Sequence, residues 1–435
     1  MEKGNKQKLF DVSFYFAAMI LFYHLFRFVY FGSIHLAARW NRKAEMWVKG
    51  RNEWKEKLQQ QWKLKQGEKA VWMHCASLGE FEQGRPLLEA IKKQYPDCKI
   101  LLTFFSPSGY EIQKDYKGAD LIIYLPEDGP GNATAFLNIV QPSLAVFVKY
   151  EFWHYYLAEL KKRNTTTILV SGIFRNTQPF FQWWGGFYRK MLFQFSHLFV
   201  QNEESARLLA SINIHKNVSV CGDTRFDRVL ELAEHWQPVP PITSFLQPNK
   251  KILIAGSTWQ EDEALIAQWF HMNQKDWQLL IAPHEIDSAH VQQLEQLFSN
   301  SVRFTQLRPD QELPANCNCI IIDSIGHLSK LYKYGTICYV GGGFTKDGIH
   351  NTLEAAVYNK AVVTGPNIRK YREAVEMKET GGLFAISSYN ELETLVHTID
   401  HSEAGKKAGV YVQENAGATA AIINYIQEKR LFTSA

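Results

Sequence analysis

The chain has 435 residues, of which 46% are hydrophobic and 21% charged. This excludes wholesale disorder and exceeds what one ordinary core accommodates, so two domains with additions are expected. A formal charge of +4 over this length leaves no basic footprint for nucleic acid, and six scattered cysteines form no disulfide framework.

In chain order, Val12 to Phe26 carries no ionisable side chain of Asp, Glu, Lys or Arg type, only His24. After Arg27 the apolar character resumes from Phe28 to Ala38. As a helix this stretch is long enough to cross a bilayer, and an interfacial helix fits it equally. Arg39, Arg42, Lys43, Lys49, Arg51, Lys55 and Lys57 follow, against Glu45, Glu53 and Glu56. That excess predicts a cytoplasmic domain close to anionic lipid.

From Glu68 the pattern alternates between strands and helices. Strands are predicted at Ala70–His74, Lys99–Phe105, Leu121–Leu125, Leu144–Val148, Thr167–Val170, His197–Gln201 and Val218–Cys221. A Pro-rich stretch at 237–249 reads as a linker. A second series follows with ILIAGS from Ile252, LLIAP, CIIID, Ile337–Val340 and Ala361–Thr364. Alternation of this kind implies parallel sheets with binding groups at the strands' C-terminal ends. A last helix, Val410 to Glu428, is expected to return to the first domain. The expected layout is therefore an anchor at 1–40, a first Rossmann-like domain at 41–236, a second at 250–410 and a crossing helix at 411–435, the two domains facing a cleft.

Several residues at predicted strand ends are chemically suggestive. Glu80, in Cys75-Ala-Ser-Leu-Gly-Glu80, either complements a helix dipole or serves as a general base. Glu151 lies in KYEFWHYY just past a strand, and Arg225 in CGDTRFD is placed to meet an anion. In the second half, Pro283-His284, Asp323 to His327 and Asn351 to Glu354 are predicted to converge on one ligand. The run Gly341-Gly342-Gly343 permits a tight turn and close ligand approach, and Asn351 with Glu354 resembles a capping box opening a helix over Leu353–Tyr358. No metal is expected. His284, His290, His327 and His350 lack a ligand spacing, and Cys317-Asn-Cys319 lacks a second pair. Neither a GxSxG elbow nor a P-loop occurs. Phe180, Phe181, Trp183 and Trp184 are candidates for membrane contact or for core packing.

Taken together, ARWNRKAEMWVKGR, HCASLGE, TFFSPSGY, LPEDGPGNATAFLNIVQPSLAVFVKYEFW, LVSGIFR, CGDTRFD, AGSTWQEDE and GGGFTKDGIHNTLEAA resemble the bacterial 3-deoxy-D-manno-octulosonic acid (Kdo) transferases of lipopolysaccharide synthesis. The resemblance covers nearly the whole chain. It implies a GT-B fold, CMP-Kdo as donor, a lipid A precursor as acceptor, and inverting transfer without a cofactor or metal. By it, Glu80 takes the general base's place, Glu151 assists the transition state, and Arg225 stands where the family usually has Lys. Pro283 and His284 match a Pro-Arg pair on CMP. Ile325, Gly326 and His327 match Met-Gly-Glu, while Asn351, Thr352, Leu353 and Glu354 match Asn-Pro-Leu-Glu. The replacements at His284, His327 and Thr352 keep two alternatives in view: a related transferase with another activated donor, and an inactive membrane scaffold.

Overall fold

The computed structural model describes residues 2–308, 314, 316–346 and 348–432, with side chains from Ala18 onward. The chain forms two units, Met1–Asp227 with Gly417–Ala435, and Arg228–Ala416. The division falls inside the helix Thr224–Glu234, ahead of the expected linker. That stretch itself holds a short helix, Pro240–Thr243.

Unit 1 contains strands β1 (Ala70–Cys75), β2 (Lys99–Phe104), β3 (Leu121–Tyr124), β4 (Leu144–Val148), β5 (Thr166–Gly172), β6 (His197–Val200) and β7 (Val218–Val220). They are all parallel, in the order β3-β2-β1-β4-β5-β6-β7. Strands buried on both faces read as unbroken apolar runs. In β1, Trp72 packs into one core layer with Leu101 and Phe147, while Val71 and Met73 join the opposite layer with Val146 and Val148.

Unit 2 repeats the plan with β8 (Lys251–Thr258), β9 (Trp277–Pro283), β10 (Ser301–Arg303), β11 (Cys319–Ile321), β12 (Ile337–Val340), β13 (Ala361–Thr364) and β14 (Leu383–Ala385). Their order is β10-β11-β9-β8-β12-β13-β14, again parallel. In each sheet the order reverses once, between β1 and β4 and between β8 and β12. Doubly wound sheets open their ligand crevice at such reversals.

The last helix is two helices, His401–Glu414 and Ala418–Glu428. Gly417 breaks them at φ 108, a left-handed conformation that glycine adopts without a Cβ penalty. Asp227 then accepts from the backbone N–H groups of Gly417 (2.6 Å) and Thr419 (2.7 Å). Ile422 and Ile426 of the second helix enter the same core layer as Leu88 and Ile91.

The N-terminal helix α1 (Glu2–Ala37) contains a segment, Ala18–Ala37, long and apolar enough by length and composition to cross a membrane. The basic segment that follows is not uniformly solvated. Arg39, Arg42, Lys43, Lys49, Lys55 and Lys57 are exposed, but Arg51 turns inward. Its guanidinium donates to the carbonyls of Leu125 (2.8 Å), Phe105 (2.8 Å) and Trp47 (3.0 Å) and lies 3.7 Å from the Trp47 ring centre. Three carbonyls and an aromatic face take the place of water around the buried cation. Phe180 is likewise a core residue, whereas Trp183 and Trp184 are exposed. All six cysteines are free thiols, five buried and Cys221 half-buried.

Candidate active site

In unit 1 the reversal brings two carboxylates to neighbouring strand ends. Ser77 is the N-cap of the helix Leu78–Gln94, so Glu80 occupies the first turn. The Ser77 hydroxyl donates to Glu80. Glu80 is half-exposed and open to a substrate.

Glu151 follows β4, after Lys149, which adopts a left-handed φ of 65. A non-glycine residue in that region is strained by about 1–2 kcal/mol, and the turn aims Glu151 back at β1. There its Oε2 accepts from the Trp153 indole N–H (2.6 Å) and meets His74 Nε2 at 2.9 Å. His74 is fully buried; its Nδ1 lies 2.9 Å from Thr103 Oγ1, which accepts from Trp72 Nε1 at 2.9 Å. An ionised Glu151 holds the imidazole proton on Nε2, and Nδ1 then accepts from the Thr103 hydroxyl. The relay Thr103–His74–Glu151–Trp153 therefore fixes Glu151 through β1 and β2.

Arg225 opens the helix Thr224–Glu234 and gives its Nε to Asp223 Oδ2 at 3.0 Å. The buried Asp223 carboxylate also accepts from Gln83 and Gln201, both at 2.9 Å. The guanidinium is thus an oriented, partly neutralised cation. Burial pushes the Tyr150 phenol up; the charge of Arg175 opposes the shift and that of Glu80 adds to it.

A cavity of about 650 Å³ opens beside this carboxylate pair and is lined almost entirely by aromatic rings, with Glu151 its one charged lining residue.

Unit 2 presents a different surface. His284, exposed after β9, stacks on Trp259 (ring centres 4.7 Å apart, 24°) and on His350 (4.4 Å, 29°). Trp259 Nε1 donates to His350 Nε2 at 3.3 Å, leaving the His350 proton on Nδ1. Burial, with His284 beside it, pushes His350 down to about 4, so it is neutral at pH 7. Pro283 is buried in the strand end.

The loop Ile325-Gly326-His327 sits at the end of β11, on the far side of β9 from this stack. Ile325 is 86% exposed, Gly326 has φ 89, and the His327 ring lies 4.8 Å from Phe304. Asp323 is held by the Thr305 N–H (2.9 Å) and hydroxyl (2.5 Å).

The turn after β12 corrects two expectations. Its helix is a single turn, Leu353–Ala356, with Thr352 as N-cap, so little dipole accumulates for an anion. Asn351 accepts from Leu353 N–H (3.2 Å) and donates to Glu354 (3.0 Å), while the side chains of Thr352 and Leu353 are fully buried. Nor do the three glycines make room for a ligand. A Cβ on Gly341 would strike Ser257 backbone, and one on Gly343 the backbone of Gly365. They serve chain packing.

His74, Trp153, Tyr150, Arg175 and Trp259 were not singled out from sequence. Among the described residues no cluster of three or more His, Cys, Asp or Glu side chains is placed to hold a metal ion.

Residues 52–228 match the family model described as 3-deoxy-D-manno-octulosonic-acid transferase (kdotransferase). A 3-deoxy-D-manno-octulosonic acid transferase of Haemophilus influenzae is 26% identical over 82% of this chain and 86% of its own length. A bifunctional glycosyltransferase/methyltransferase of Fusobacterium nucleatum is 26% identical over 83% of this chain, which spans only 57% of that protein. Among solved structures, MurG of Acinetobacter baumannii aligns with a TM-score of 0.51 at 14% identity over 83% of this chain and 99% of its own. UDP-GlcNAc 2-epimerase of Neisseria meningitidis aligns at 0.57 and 14% identity over 82% and 100%. At such identities the likeness is one of fold, the two Rossmann-like units of GT-B proteins.

Proposed function

We propose that this chain, which resembles Kdo transferases over residues 52–228 and along most of its length at 26% identity, moves Kdo from CMP-Kdo to a hydroxyl of a lipid A precursor at the cytoplasmic face of the inner membrane. The observation that carries this reading is the pair of carboxylates at the unit 1 reversal, one fixed and one available. Glu80 takes the acceptor hydroxyl proton as the oxygen attacks the anomeric carbon of Kdo. The bond from that carbon to the CMP phosphate breaks on the opposite face, so configuration inverts and CMP leaves as the anion.

Glu151, held by His74 and Trp153, acts on developing positive charge at the sugar, and Arg225 on the negative charge of the leaving group. Fixed groups of this kind need little reorganisation during reaction. In unit 2 the Trp259–His284–His350 stack and the loop Ile325 to His327 receive CMP, with backbone groups near Asn351 and Glu354. The His284 ring stands ready to donate a hydrogen bond to the phosphate, in the place where an arginine would do so. The exposed basic residues after α1 favour anionic lipid.

The test is transfer by purified protein with CMP-Kdo generated in situ and a tetra-acylated lipid A precursor, read by mass spectrometry. Wild type should yield a product heavier by Kdo. Glu80→Gln should lose about 10²–10⁴-fold in rate with unchanged CMP affinity. Normal turnover by that variant would remove Glu80 from the base's role; absence of product from wild type that binds CMP would remove the proposed acceptor.

A further inference from the structure

The aromatic cavity and the face of α1 that it adjoins go beyond the transfer chemistry. Four α1 residues at a spacing of four, Tyr23, Arg27, Phe31 and His35, face unit 1. The Tyr23 hydroxyl donates to the buried Asp128 at 2.6 Å, Arg27 lies 5.6 Å from the Tyr155 ring centre, and His35 pairs with Glu127 at 3.0 Å. Phe31, 4% exposed, stacks near Trp47 and Trp153. His24 adds a 2.6 Å contact with the Tyr155 hydroxyl.

The helix is thus fastened along the unit by polar contacts, part-buried at Tyr23 and His24 and exposed at His35, with Phe31 buried among them. Carrying this segment across a bilayer would take Asp128 and Glu127 into hydrocarbon, or leave Tyr23 and Arg27 there without partners, and both are costly. The opposite side of α1 is apolar and bare: Leu21, Phe22, Leu25, Phe28 and Val29 are all more than half exposed. A helix with one face docked and one apolar face free is suited to lie in the membrane interface. Basic residues exposed just beyond it, Arg39, Arg42 and Lys43, match anionic headgroups.

Phe22 and Phe26 belong to both surfaces. They are 64% and 53% exposed, and they also form the outer wall of the 650 Å³ cavity whose inner wall is Phe187 and Met191. An apolar path therefore leads from the lipid-facing side of α1 to Glu151.

We propose that this cavity is an acyl-chain site, entered from the bilayer surface along α1, that places the sugar of a lipid acceptor at Glu151. The proposal rests on the transfer reading above for its acceptor. The site itself requires only a hydrocarbon chain with a polar head. Each buried methylene favours binding by about fourfold, so affinity should climb steeply with chain length until the cavity is filled.

The experiment is photolabelling of the full chain in detergent micelles with a diazirine-bearing palmitate, adducts being mapped by mass spectrometry. Adducts are expected on Phe187, Tyr188 and Met191 and should be displaced by unlabelled palmitate. Met191→Trp, which fills the inner end, should reduce adducts on Phe187 and Tyr188 at least tenfold while those on Leu25 and Phe28 persist. Met19→Trp should do the same from the α1 side, and thermal unfolding identifies whichever variant is folded. Adducts confined to Leu25 and Phe28, or inner adducts indifferent to both fillers, would overturn the site. The readout needs neither donor nor transfer: absent Kdo transfer counts against the proposed function alone, and intact transfer without inner adducts counts against the cavity alone.

Discussion

The two sheet reversals solve the same geometric problem with opposite chemistry. At β1 and β4 the groups are carboxylates, and one is held by a relay running two strands deep. At β8 and β12 they are rings, held by stacking and one indole hydrogen bond, with a neutral His350 at the bottom. A left-handed non-glycine residue lies near each reversal, Lys149 just after β4 and Ser257 within β8, where the pairing register shifts. The difference between the reversals lies in the side chains they present. A relay fixes direction and charge, which a reacting centre needs; a ring stack offers a broad face topped by the exposed His284, which suits binding and release.

The comparison breaks most sharply at the carboxylates. After the Glu80→Gln loss, the next largest effect is expected from Glu151→Gln, which keeps shape and removes charge. Turnover should fall about 10²-fold, measured as kcat with CMP affinity intact. His74→Phe should be milder for turnover but costly for folding, because a buried partner of Glu151 and Thr103 disappears. A loss of about 1–3 kcal/mol in denaturant unfolding is expected; unchanged stability would show that the relay does not fix Glu151. On the other side, His284→Ala should weaken CMP binding about tenfold, the scale of one hydrogen bond to a charged group, and leave the chemical step unaltered. His284→Arg, which sets a permanent cation at that position, should raise CMP affinity, read by calorimetry.

The smallest effect concerns acid stability. Burial holds His154 and His350 near 4, with His24 and His284 as respective second causes. In the unfolded chain both protonate below about 6.5. The unfolded state therefore takes up protons first, and stability present above that pH declines as pH falls from about 6.5 towards 4. His350→Gln should flatten part of that decline in the melting temperature.

Much of this arrangement was legible in sequence, for physical reasons. Strands buried on both faces leave apolar runs, so β4, β12 and β13 fall where their residues predict. Residues just beyond such runs lie at strand ends, which is why Glu80, Glu151 and His284 could be singled out. The edge strands β10 and β14 left no reading in the sequence, although β7 and β11, also three residues long, did. The His74–Glu151 contact joins residues 77 apart and exists only because β4 inserts beside β1; no local spacing announces it. Charge counting also missed the inward turn of Arg51, because its partners are carbonyls, common to every residue. The glycine run was overread for a related reason: glycine marks close approach without stating whether ligand or backbone approaches.

The cysteines have a practical consequence. Burial pushes every thiol up, Cys98 to about 11 and Cys221 to about 12, with Cys75, Cys317, Cys319 and Cys338 also raised. Thiolate, not thiol, reacts with maleimides, so the native chain is close to silent towards such dyes at neutral pH. A fluorophore pair installed at one new exposed cysteine in each unit would thus report donor-driven motion against a dark background, with no native cysteine removed.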